Sequence, residues 1–237
     1  MQPAIEPGPA PALRPGQVHV WYYDLDGPWP AGADAAGCLD GGERARADRF
    51  MRDRDRVRFR AAHCAVRHLV AGYLGCAPAE LVITRDCPHC GDPKHGKPGM
   101  AAPDGTRVEV NASHSDALGG LAVALPGLEL GLDVEFHRPN VDWAGILPEP
   151  LRAEPPGDGF GQWTKLEAVA KAAGTGIVKM PRLTDPHHPD WAPALLAGDG
   201  ERGPSSWQVR ALRAPDGYSA ALAANDIPTD VQLRWHR

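Results

Sequence analysis

The chain has 237 residues, 43% hydrophobic and 23% charged, which is enough for one large domain or two small ones with a proper core. A net charge of −5 argues against a general nucleic-acid binder, and no apolar run is long enough to span a bilayer. Five cysteines, an odd and low number, speak against a disulfide framework.

Taken in chain order, "MQPAIEPGPAPALRPG" is rich in Pro and Ala and lacks a signal peptide's charged start and apolar middle. Residues 1–16 are therefore expected to be a flexible tail, and the protein cytoplasmic. "VHVWYYDLD" (18–26) alternates and is rich in β-formers, which predicts a first strand. Residues 43–60 carry eight arginines among four acids, a pattern that reads as a solvated helix laced with ion pairs. From Phe59 onward the apolar positions 62, 66, 69, 70 and 73 recur at helical spacing, predicting a core-facing helix that Gly75 and Pro78 end.

"LVITRDCPHCGDPKHGKPGM" reads as a short strand followed by a turn-rich loop. Its Cys87 and Cys90 have the spacing of a zinc half-site, with His89 and His95 as further ligands, but the other cysteines form no second pair. Lys97, between Gly96 and Pro98, is a loop lysine that reads as an exposed charge or an anion contact. "RVEVNASHS" (107–115) is expected to be a strand that runs into a polar Ser-His-Ser turn, either a capped turn or a phosphate-binding one. "GLAVALPGLELGLDVEF" is expected to be a hairpin of two apolar strands around Pro126-Gly127. The stretch 137–160 has little periodicity. "FGQWTKLEAVAKAAGTG" is a clear helix closed by Gly174 and Gly176, and "SSWQVRALRAPDGYSAALAAND" a hairpin turning at 215–217.

Two pairs of charges invite chemistry. Asp133 and Glu135 are two residues apart on a strand, so they share a face, where like charges repel unless something positive lies between them. They are either a solvated strand end or a site for a hard divalent cation such as Mg²⁺. Glu167 and Lys171, one helical turn apart in line with Trp163, form either a surface ion pair or a metal-and-phosphate site. Ala168, Val169 and Ala172 make a separate apolar stripe for packing on a sheet.

In order, "GKP" at 96, "NASHS" at 111, "GLDVE" at 131 and "WTKLEAVAKAAGTG" at 163 resemble the motifs of the 4′-phosphopantetheinyl transferases of the Sfp type, the holo-carrier-protein synthases. The arginine-rich "RFMRDRDRVRFRAAHCAVRHLV" is similar to that family's first long helix, and the match spans roughly residues 17–225. The resemblance implies an α+β fold of two similar, pseudo-symmetric halves, each a small antiparallel sheet packed against a long helix. The halves are 17–125, with the basic helix and the GKP and SHS loops, and 126–237, with the carboxylates and catalytic helix.

The resemblance also implies an activity: Mg²⁺-dependent transfer of 4′-phosphopantetheine from coenzyme A to a serine of an apo acyl or peptidyl carrier protein, releasing 3′,5′-ADP. That chemistry would serve polyketide or nonribosomal peptide biosynthesis, with Mn²⁺ as the alternative metal. Asp133, Glu135 and Glu167 match the metal ligands. Glu167, Lys171 and His114 match the catalytic residues. Arg44, Arg46, Arg58, Lys97, Ser113, His114 and Lys171 match coenzyme A contacts. A monomer that binds neither nucleic acid nor membrane is expected. The sequence departs from the family pattern at Leu166, where a lysine is usual and Lys165 stands one place early, and in the short Pro-rich segment before Trp163. The second departure motivates an alternative, a degenerate member that binds coenzyme A but transfers weakly. A more distant alternative is a zinc-stabilised interaction module.

Overall fold

The computed structural model describes residues 10–27, 37–86, 97–149, 151, 158–176, 179–197 and 205–236. The alternating N-terminal run forms β1 (Gln17–Asp24). The arginine-rich run divides into α1 (Gly41–Ala47), which opens with a capping box between Asp40 and Glu43, and α2 (Asp53–Leu74). Gly75, at φ 66°, ends α2 in the left-handed conformation that glycine adopts without a Cβ penalty.

Four strands follow: β2 (Val82–Asp86), β3 (Lys97–Ala101), β4 (Arg107–Ser115) and β5 (Leu118–Ala124). After them come β6 (Leu130–Phe136), α3 (Trp143–Ile146) and α4 (Gly159–Ala173), which Gly174 caps at φ 68°. The chain ends with β7 (Arg182–Leu183), β8 (Ala192–Leu196), β9 (Ser205–Leu212), β10 (Tyr218–Ala224) and β11 (Asp230–His236). The zinc half-site at Cys87 and Cys90 lies outside the described residues. Cys38, Cys64 and Cys76 form no disulfide.

The fold is α+β with two sheets, ordered β11-β1-β5-β4-β3-β2 and β6-β10-β9-β8-β7. Pairing is antiparallel except that β11 returns to lie parallel to β1, so the last strand of the chain completes the first sheet. Three apolar layers explain the stacking. Leu69, Val70 and Ala65 of α2 pack on Val110, Leu121 and Val123 of the first sheet. The opposite face of that sheet, with Val18, Val20 and Ala122, meets Leu130, Leu132, Val134 and Leu222 of the second sheet. Leu166, Ala168, Val169 and Ala172 of α4 cover the far side of the second sheet, on Val209, Ala221 and Ala223. Strand β5 lies between two cores and is buried throughout, which is why it reads as an unbroken apolar run.

Two local readings are corrected. β5 and β6 do not form a hairpin. β6 pairs with β10, Asp133 opposite Ala221, because its even-numbered residues are needed in the core between the sheets. "NASHS" is not a turn: β4 runs through Ser115 and the reversal falls at Asp116-Ala117, with Asp116 at φ 50°. One glycine sets the distance between α4 and the carboxylate strand. A Cβ at Gly131 would collide with the carbonyl oxygen of Ala168 and the amide of Ala172, so only glycine allows the helix to lie this close.

Candidate active site

Strand alternation sends Asp133 and Glu135 from β6 toward α4, while Leu132 and Val134 enter the core. Asp133 is 4% exposed. Its Oδ1 accepts a hydrogen bond from Lys171 Nζ at 2.6 Å and one from Ser113 Oγ at 2.9 Å. Its Oδ2 is buried and has no partner. Burial pushes the Asp133 carboxyl above the usual range, against Lys171 and Ser113, and the charge of Glu135 adds to the rise. Glu167, one turn before Lys171 on α4, is raised too, first by burial and then by Asp133 and Glu135. The three carboxylates are thus close enough to sense one another. The charge that compensates Asp133 here is the Lys171 ammonium.

Among the described residues, no three His, Cys, Asp or Glu side chains converge at metal-ligand spacing. The donor set nevertheless suits a hard cation. It consists of carboxylate oxygens, and a buried Oδ2 without a hydrogen bond is an acceptor whose desolvation nothing yet offsets.

Ser113, a hydrogen-bond donor to Asp133, also lines a cleft of about 750 Å³. Its polar wall carries Glu43 and Arg46 of α1, His63 of α2, and Ser113 and His114 of β4. Ser113 therefore belongs both to the cleft and to the Asp133 cluster. Burial lowers the His114 pKa, and the positive charges of His63, Lys171 and Arg46 lower it further. Arg46 lies over the Phe59 ring at 5.4 Å, and Phe59 contacts the His63 ring at 4.2 Å. An imidazole and a guanidinium are so held at the cleft wall, suited to an anionic ligand.

The other expected contacts sit differently. Arg58 is buried and committed: Nε and a terminal nitrogen donate to both oxygens of Asp26, and Nη1 donates to Asp116 at 2.6 Å. It ties the end of β1 to the β4–β5 reversal and is not part of the cleft wall. Arg44 donates to the carbonyl of Leu39. Lys97 opens β3, pairing with Asp86. Leu166 is in the core beneath α4, and Lys165 instead donates to the carbonyl of Pro186 at 2.5 Å, anchoring the following loop.

Sequence reasoning missed Glu43, His63 and Arg67. Arg67 is 2% exposed, and its guanidinium donates to Glu43, Asp40 and the carbonyls of Pro78 and Leu81. Glu43 in turn holds His63 Nδ1 at 2.8 Å. Helical spacing could have grouped His63 and Arg67 on one face, but nothing in a run of arginines marks which is buried.

No family model matches the chain. The 4′-phosphopantetheinyl transferase HetI of Nostoc sp. is 32% identical over a 245-residue alignment that covers 94% of each chain. A Synechocystis sp. protein, slr0495, carries the same transferase name provisionally and is 29% identical over 173 residues, 68% of this chain and 66% of its own.

Proposed function

Because the chain belongs to the 4′-phosphopantetheinyl transferase family and moves the phosphopantetheine group, we propose that its donor is coenzyme A and its acceptor a serine of an apo acyl or peptidyl carrier protein. Its leaving group is 3′,5′-ADP and its metal Mg²⁺, with Mn²⁺ the alternative. The observation that carries this reading is the buried, unpartnered Asp133 Oδ2 near Glu135, Glu167 and Lys171, linked through Ser113 to a cleft whose wall also carries Arg46, His63 and His114.

Asp133, Glu135 and Glu167 would hold the cation, which when bound supplies positive charge to the pyrophosphate of coenzyme A. Glu167 takes the proton from the attacking serine hydroxyl. The new bond joins the serine oxygen to the β-phosphorus, the bond to the bridging oxygen breaks, and the ADP phosphate leaves with its negative charge. Lys171, already poised at 2.6 Å from Asp133, turns to that developing charge. His114 and Arg46, which line the cleft, hold the phosphates of the nucleotide. Positioning and electrostatics carry most of the rate, as in other phosphoryl transfers.

Mass spectrometry of several apo carriers, each incubated with the protein, coenzyme A and Mg²⁺, tests the proposal. One carrier or more should gain the mass of phosphopantetheine, and the gain should vanish with EDTA. A protein that binds coenzyme A yet loads none of the carriers would be the degenerate member that the short segment before Trp163 suggests.

A further inference from the structure

β4 and β6 belong to different sheets, and three polar side chains join them. Asn111, Ser113 and Ser115 alternate along β4 and so share a face. Leu132, Val134 and Phe136 alternate along the edge of β6 that β10 does not use. Asn111 Oδ1 accepts from the Leu132 amide at 2.8 Å, Ser113 Oγ from Val134 at 3.3 Å, and Ser115 Oγ from Phe136 at 3.0 Å. Side-chain oxygens thus stand where the carbonyls of a neighbouring strand would, and the edge amides of β6 are satisfied inside the molecule.

Two of the rungs do more. Ser113 donates its O–H to Asp133 Oδ1, and Ser115 donates to Glu135 Oε2, both at 2.9 Å. Each serine accepts from the amide of one residue and donates to the carboxylate of the residue before it. A hydroxyl has one proton and two lone pairs. Ser113 uses all three, since Lys171 Nζ also donates to it at 2.9 Å. Its proton is therefore unavailable to a phosphate oxygen while it serves Asp133.

Resting on the transferase reading above, we propose that Ser115 and Ser113 are positioning residues. They lock the register between the two sheets and fix one oxygen of each carboxylate, so that the other oxygen is presented to the cation. This gives Ser113 a different task from the phosphate contact implied by family resemblance, and it brings Ser115 into the site. A slip of one residue between β4 and β6 would turn both carboxylates away, because strand faces alternate with a period of two.

The test uses the full-length protein and Mn²⁺ as a spectroscopic probe, with coenzyme A present and no carrier. Ser115→Ala should weaken Mn²⁺ binding about 10-fold or more, the usual scale for losing a partner that orients a metal ligand. In carrier loading it should lower kcat by a similar factor and leave the coenzyme A KM within about 2-fold. Ser115→Thr, which keeps the hydroxyl, should restore both. Asn111→Ala removes a rung that touches no carboxylate, so it should lower Tm as Ser115→Ala does but disturb Mn²⁺ binding less. A folded Ser115→Ala protein with unchanged Mn²⁺ affinity overturns the inference, as does one whose only defect is a raised coenzyme A KM. A wild-type protein that loads no carrier defeats the transferase reading instead, and the Mn²⁺ titration still reports on the serines.

Discussion

Two of the places where the protein buries charge treat it in opposite ways. In the α1–α2 cluster, Arg67 is 2% exposed, yet its guanidinium is engaged by Glu43, Asp40 and two carbonyls, and Glu43 is shared with His63. At the β6–α4 junction Asp133 is almost as buried, but one of its oxygens has no partner and two other carboxylates raise the cost of its charge. A closed network returns its desolvation cost to the fold, whereas an open one leaves that cost outstanding for a ligand to offset. On the proposed reading, the difference separates a brace from a working site within one small molecule.

The hardest blow to this contrast would come from Asp133→Asn. The amide keeps the shape and removes the charge, while the half-exposed Lys171 ammonium can turn to water. Carrier loading should fall by about 10³-fold, the scale of losing a preorganised electrostatic group. Tm should stay within about 3 °C of wild type or rise, because a desolvated carboxylate has been removed. Near-normal loading would sink the site assignment, and a collapse in Tm would show that Asp133 is a brace after all.

Arg67→Met is the mirror experiment. Removing one partner of a closed buried network leaves Glu43 and Asp40 uncompensated, so urea denaturation should show a loss of about 3–5 kcal/mol. At a temperature where the variant is folded, kcat should remain within about 3-fold of wild type, since the hydrogen bonds of Arg67 go to Glu43, Asp40 and two carbonyls and none to Asp133, Glu135 or Glu167. A stable variant with a crippled kcat would reverse the roles of the two clusters.

How much of this was legible beforehand depends on the range of the interaction. α2 and α4 were visible because their apolar positions repeat at helical spacing and glycine caps end them. Asp133 and Glu135 were visible because strand alternation is strict. The β5–β6 hairpin was misread because local turn chemistry at Pro126-Gly127 says nothing about β10, which lies some 90 residues further on and claims β6. "NASHS" reads as a strand ending in a turn because Asn and Ser favour turns. Their polarity is instead spent on the edge amides of another sheet, a partner that no local pattern encodes. Arg58 and Arg67 look alike in a row of arginines. Only the fold commits one to Asp26 and Asp116 and buries the other on Glu43.

A third buried polar group sharpens the contrast by separating an unpartnered atom from a charge. His19 on β1 is 1% exposed, its Nδ1 lies 2.7 Å from the hydroxyl of Tyr73, and its Nε2 has no partner. It lies outside the cleft wall, so an orphaned nitrogen here should cost stability without serving chemistry. Burial, aided by Arg234 and opposed by Asp230, pushes its pKa from 6.5 down to about 4. The unfolded chain therefore takes up a proton as pH falls through 6.5, while the folded protein resists until about 4. Stability from this residue is complete above pH 6.5, falls as pH drops through that window, and levels off below it. One proton corresponds to a slope of at most about 1.4 kcal/mol per pH unit. Urea denaturation between pH 4.5 and 7.5 should show His19→Gln with a shallower slope than wild type by up to that amount. Phosphopantetheine transfer at pH 7.5 should be unchanged. Identical slopes would mean that His19 titrates normally, and a loss of transfer would mean that an orphaned atom marks function even without charge.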